Sequence, residues 1–179
     1  MAEIKLTADQ VTVLVASLSS DIVSGLVYAD DTLVVPDEHG AGIMALLADE
    51  ATLAAKHLAA VKSQCKLLID KEAEAERLRY ITAGAGQAIT YQRKAEEARA
   101  CLAAADPLPA DYPMLAAEIG ITADTLIGVA EVVNAANAAW LAIGAEIEAA
   151  RLGVKVAIDA ASTAEEARAA ADAVAWPNT

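Results

Sequence analysis

Four kinds of residue in this chain are of types that could do chemistry: two histidines, two cysteines, a glycine-rich run and several close carboxylate pairs. A metal site needs His, Cys or carboxylates converging at ligand spacing, and neither His39 nor His57 has a ligating partner four residues on. His39 falls in the loop-like stretch VVPDEHG. His57 lies on a helical stretch beside alanines and acids, and reads as a solvated or interface residue. Cys65 and Cys101 form no CxxC or Cys/His cluster and each falls inside a predicted helix. They read as small buried hydrophobes, with a disulfide between them as the alternative. The run AGAGQ (83–87) invites a phosphate loop. A dinucleotide fingerprint, however, needs a preceding strand and a third glycine where Ile89 stands, and a Walker loop needs a following Gly-Lys-Ser/Thr. Two glycines so close mark a break between helices instead. The acids Glu72/Glu74/Glu76 and Glu165/Glu166 read as solvated helix faces, because acid–base catalysis by two carboxylates requires a cleft that separates their environments. No serine has a GxSxG context. The reading is therefore of a chain without catalytic set, metal site or cofactor, and not an enzyme.

The elements that hold these residues follow from composition. Of 179 residues, 26 are acidic and 13 basic, a formal charge of -13 that opposes nonspecific binding to nucleic acid and to anionic lipid. No membrane contact is expected, since no stretch reaches about 18 uninterrupted apolar residues. The opening MAEIKLTADQ lacks the basic-then-apolar order of a signal peptide. Hydrophobic residues make up 56% of the chain, too many for intrinsic disorder, yet aromatics are only 3% and Phe is absent. The apolar weight is alanine, the best helix former and one that has little side chain to bury. The expected fold is mostly α: long alanine-rich helices forming a helical bundle or coiled coil, with a small N-terminal attachment segment that contains a short strand.

Four regions are expected. Residues 1–40 form the attachment segment. Thr7 caps a helix from Ala8 that carries Val11, Leu14, Val15, Leu18, Ile22 and Leu26 at helical spacing, although the β-branched VTVLV also suits a strand. Asp30-Asp31 turns the chain, Thr32–Val35 is strand-like, and Pro36 to Gly40 reads as a loop. Residues 41–105 read as a helical hairpin or coiled-coil region. Its seam is Leu47, Ala51, Ala54, Leu58, Val61, Cys65 and Leu68, with the pairs Glu74/Arg77 and Glu76/Arg79 outside it and a second helix from about Ala88. Residues 106–121 are a Pro-rich linker with a short helix from Met114 to Ile119, closed by Gly120. Residues 122–179 hold a long helix capped by Thr122, with Leu126, Val129, Val133, Ala136, Trp140, Ile143, Ile147, Ala150, Val154 and Ala157 stepping three and four. Ser162 to Glu166 reads as the capping box of a closing helix that ends near Trp176-Pro177. The residues expected at a packing or oligomer interface are Leu47, Leu58, Val61, Leu68, Val133, Trp140, Ile143 and Ile147.

The stretch RLRYITAGAGQAITYQRKAEEA (Arg77 to Ala98), and then the order ADYPMLAAEIGIT, a long alanine-rich helix with a central Trp140, and a closing helix ending in Trp176-Pro177, resemble bacteriophage and prophage tail proteins of proteobacteria. The resemblance covers roughly residues 70–177. It implies a component of the virion tail, at a fibre or the tail tip, or a role in fibre assembly, and it implies no catalytic residues. On that reading the protein is made in the bacterial cytoplasm, and its partners are other tail or baseplate proteins together with copies of itself, a trimer among the options. The other reading is a tail-fibre assembly chaperone that leaves before the virion is mature.

Overall fold

Three short strands, β1 (Ala2–Lys5), β2 (Val27–Ala29) and β3 (Thr32–Val35), pair antiparallel in the order β1-β3-β2. They belong to a computed structural model that describes residues 1–177, with only the backbone of Asp9. The β2–β3 hairpin closes through Asp30 and Asp31, with φ of 50° and 54°. Those are the positive angles of the two-residue turn whose twist suits antiparallel strands. Side chains alternate across β3, so Leu33 and Val35 are buried, and Ile4 of β1 joins them. Sequence reading found β3 and the aspartate turn. β1 and β2 were not expected: β1 has only Ile4 as a β-branched residue, between Glu3 and Lys5, where β3 has three in Thr32, Val34 and Val35, and β2 is three residues long.

Helix α1 (Ala8–Ala16) begins at Thr7, whose hydroxyl accepts from the Gln10 amide while the Gln10 side chain accepts from the Thr7 N–H. The stretch VTVLV is thus helical. It stops at Ala16, where the Ser17 hydroxyl donates to the Val13 carbonyl, a local bond that competes with helix continuation. Ile22 reaches the core from a separate short helix, α2 (Ser20–Val23).

The stretch PDEHG, read above as a loop, instead enters α3 (Asp37–Ala48). Pro36 stands at the N-cap with its φ near that of a helix, and Asp37 and Glu38 place negative charge at the positive end of the helix dipole. The helix expected from Ala41 is also interrupted. Asp49 ends α3, and its carboxylate accepts from the Thr52 amide at 3.0 Å and the Thr52 hydroxyl at 2.7 Å, so that it starts α4 (Glu50–Arg77).

The glycine break stands as read: Gly84 has φ 120° and precedes α5 (Ala85–Ala103), three residues earlier than expected. After a 3-10 turn at Pro109–Asp111 comes α6 (Pro113–Ala116), shorter than the span Met114 to Ile119 and set by Pro113 at its first position. Gly120 adopts φ 79°. The long helix α7 (Leu126–Ala160) is not capped by Thr122, whose hydroxyl donates to Glu118 at 2.8 Å. Thr125 does this, accepting from the Gly128 amide at 3.0 Å. The last helix, α8 (Ala164–Asp172), is capped by Thr163, which accepts from the Glu166 amide; the return bond of the expected capping box is shifted by one residue, the Glu166 carboxylate accepting from the Ser162 amide and not from that of Thr163. The helix ends at Asp172 rather than near Trp176-Pro177, with the Ala173 amide bonded to the Ala169 and Ala171 carbonyls at the last turn.

The described residues are 69% helical, which makes the protein mostly α as expected. They fall into two compact units. The first takes in Met1–Asp70 and Leu152–Val174. Its head has a core of Ile4, Leu6, Val11, Leu14, Leu33, Val35 and Ile43, and its helical part buries Val61, Cys65, Ile69, Ile158, Ala167 and Ala171. The second takes in Lys71–Arg151 and the residues from Ala175 on. Its core is Ala98, Cys101, Leu115, Leu126, Val129 and Ala130.

Two positions on α7 test this packing. Ile147 is 0% exposed and Leu152 is 50% exposed. Ile147→Ala is expected to cost about 2–5 kcal/mol of stability, and Leu152→Ala within about 0.5 kcal/mol, read from denaturant unfolding followed by circular dichroism.

Candidate functional site

The predicted interface residues divide by burial. On α4, Val61 is 2% exposed and the buried line continues through Cys65, Ile69 and Ala73 in steps of four. Leu68, placed in the seam by sequence, is 47% exposed. Alternating steps of four and three belong to a helix supercoiled at 3.5 residues per turn. Unbroken steps of four carry the buried line around the helix, so Ile69 takes the inner position and Leu68 turns outward. Leu58 is half-buried, and Leu47 on α3 packs against the core of the head. On α7, Ile147 is fully buried, Val133 packs against the core of the second unit, and Trp140 and Ile143 are half-buried. Ala136 and Ala157 are exposed; Asn137 and Ile158, one residue on, are the less exposed neighbours.

Charge sets the helix pairing. In the first unit Lys66 Nζ lies 2.7 Å from Asp159 Oδ1, Lys62 donates to the Asp159 carbonyl at 2.8 Å, and Lys155 reaches Asp70 at 2.6 Å. As the α4 partner advances from 66 to 70, the α7 partner retreats from 159 to 155, so these stretches run antiparallel. The hydrogen bond from Lys66, aided by the charges of Lys66, Lys62 and Lys155 against a small burial penalty, holds the Asp159 carboxyl below its ordinary range. In the second unit Arg77 and Arg151 share Glu148 at 2.8 Å and 2.6 Å. The expected pairs Glu74–Arg77 and Glu76–Arg79 both form. Glu97 on α5 accepts the amides of Met114 and Leu115 at 2.9 Å and 3.2 Å, which fixes the start of α6. Lys94 pairs with Glu118, and that hydrogen bond lowers the Glu118 pKa despite partial burial.

The chemistry-bearing residues do not converge. Cys65 and Cys101 are free and buried, and burial pushes the Cys101 thiol up, away from the reactive thiolate. His39 lies on α3, and the half-buried His57 on α4 has its Nδ1 buried without a hydrogen-bond partner. Among the described residues no group of three or more His, Cys, Asp and Glu side chains is placed to hold a metal ion. Trp176 donates to Glu72 at 3.4 Å, and Tyr91 to Thr82 across the glycine break at 3.2 Å.

One feature escaped sequence reading. Beside its buried line, α7 carries a second apolar line of Ile127, Ala138, Leu141, Ala145, Leu152 and Val156. Their separations of eleven, three, four, seven and four are all near whole turns of a helix. Leu141 is 60% exposed and Val156 70%. Alanines fill both lines, so the spacing alone does not separate the second from the first. The helix is long and apolar enough to cross a membrane by length and composition, with mean hydropathy 1.6 over a window that is 17% buried. Comparison with protein-family models, curated proteins and solved structures found no match to this chain.

Asp49, Glu118 and Asp159 all have carboxyls lowered by native hydrogen bonds. Such groups stabilise the fold above their unfolded pKa of about 4, and the contribution is lost as pH falls through the lower folded value. The melting temperature is therefore expected to hold from about pH 7 to 5 and to drop below about pH 4. Asp159→Asn should flatten that acid limb in thermal melts.

Proposed function

We propose that this chain is a structural component of a bacteriophage tail, of the tail-fibre or tail-tip kind, that assembles through helical packing. The observation that carries the reading is the exposed apolar line on α7, because a soluble chain seldom leaves so long a hydrophobic stripe uncovered unless something covers it. Its polar residues favour a protein partner over lipid. Lys155 and Asp159 are engaged with α4 in charge pairs, an arrangement made for water and not for hydrocarbon. The likeness of residues 70–177 to tail proteins supplies the biological setting, and the acidic head is the natural point of attachment to a larger particle.

Leu141→Glu puts a charge in the exposed line without touching the buried one. Light scattering on a sizing column is expected to show an oligomer for the parent chain and a smaller species for the variant, at equal helix content. A parent that is monomeric at all concentrations removes the self-assembly. Mass spectrometry of purified virions is expected to find the chain in stoichiometric copies. Its absence from mature particles would favour the assembly chaperone.

A further inference from the structure

The head carries a cleft of about 450 Å³ between α1–α2, α3 and the start of α4. That volume lies in the range of pockets that take a ligand or an anchoring side chain. Its floor is Leu18, Ile22 and Leu46, each half-buried with one side on the head's core and the other open to the cleft. Glu38, Asp49 and Lys56 stand at the rim. Asp49 is held in place by its two hydrogen bonds from Thr52, whereas Glu38 is an exposed acid free to turn toward a partner.

The electrostatics of the head are lopsided. Residues 1–49 contain eight Asp and Glu against one lysine, more than half of the formal charge excess of the whole chain. Lys56 in the lining offsets one of the two acids there, but the net negative field of the head around the cleft still raises the encounter rate of partners of opposite sign and disfavours acidic ones. We infer that the cleft docks a polypeptide segment of another protein that presents an aliphatic side chain flanked by lysines or arginines. The aliphatic group fills the Leu18–Ile22–Leu46 floor, and the flanking cations meet Glu38 and the surrounding acidic head. The inference deepens the attachment role given to the head above and rests on that reading for the existence of a partner.

Gly42 supplies the test. It lines the cleft, and a Cβ built on it meets nothing within 4 Å. Gly42→Leu therefore adds an apolar side chain at the cleft from a position with room for its Cβ, and it replaces a helix-weakening residue on α3, so the fold is expected to be as stable or more so. The probe is a short fluorescein-labelled peptide with one leucine between lysines, titrated with the full chain and read by anisotropy. Saturable binding is expected. It should weaken at least tenfold when the leucine of the peptide becomes serine, when its lysines become glutamates, or when the chain carries Gly42→Leu. Glu38→Lys should weaken it as well. Three results would overturn the inference: no saturable binding, equal binding of the serine peptide (a general pull toward acidic protein), or unchanged binding by a folded Gly42→Leu chain. The two proposals fail separately. A chain present in virions whose cleft binds no such peptide loses only the docking site, and a chain absent from virions whose cleft binds it loses only the structural role.

Discussion

An alanine side chain covers little of its neighbour, so helices built from it hold together only where larger residues meet or where charges fix the alignment. That constraint governs the helical part of the protein. In the helical part of the first unit, Val61, Cys65 and Ile69 on α4 and Ile158 on α7 are the large buried groups, and Ala167 and Ala171 are the small buried ones of α8. The lysine–aspartate bridges beside them are partly exposed and individually weak. Their value lies in register, because sliding the antiparallel stretches by one residue would part Lys66 from Asp159 and Lys155 from Asp70 together.

The same constraint explains why α7 faces two ways. Its buried line is supplied with Val129, Ile147 and Ile158, while its second line keeps Leu141, Leu152 and Val156 in solvent. A chain that used its large residues for itself alone would have placed alanine or charge at those exposed positions. The head follows a different logic. It is a small α/β element with a conventional aliphatic core, and it has more than half of the chain's net negative charge. The two parts thus differ in chemistry: one leaves an apolar line on a long helix in solvent, and the other is a compact head with net negative charge.

Much of this was legible in the sequence, where local chemistry decides the outcome. Thr7 with Gln10, Thr163 with Glu166, the aspartate turn and Gly84 all act through neighbours within a few residues, and each is where the pattern put it. The errors came where two local signals competed or where a distant contact decided. Thr122 and Thr125 are both plausible caps, and the choice went to Thr125 because Glu118 takes the hydroxyl of Thr122. The stretch PDEHG has the composition of a loop, but a proline followed by two acids is equally the start of a helix. Leu68 and Ile69 are adjacent apolar residues, and only the helix they face could choose between them. The cleft in the head combines Leu18, Ile22 and Leu46 from three elements, a meeting that no spacing along the chain announces.

The corner at Gly84 opens α5, whose two halves have unequal fates. From Ala85 to Arg93 every residue but Thr90 is exposed, whereas Ala95, Ala98 and Cys101 are buried in the following turns. The early turns are held by their own backbone bonds, and a helix so short is barely stable alone in water. Their amide protons will exchange with solvent by local fraying, far ahead of those around Ala98, which wait for a larger opening of the second unit. One continuous rod is thus two bodies in time: a restless end at the glycine and an anchored one at the cysteine.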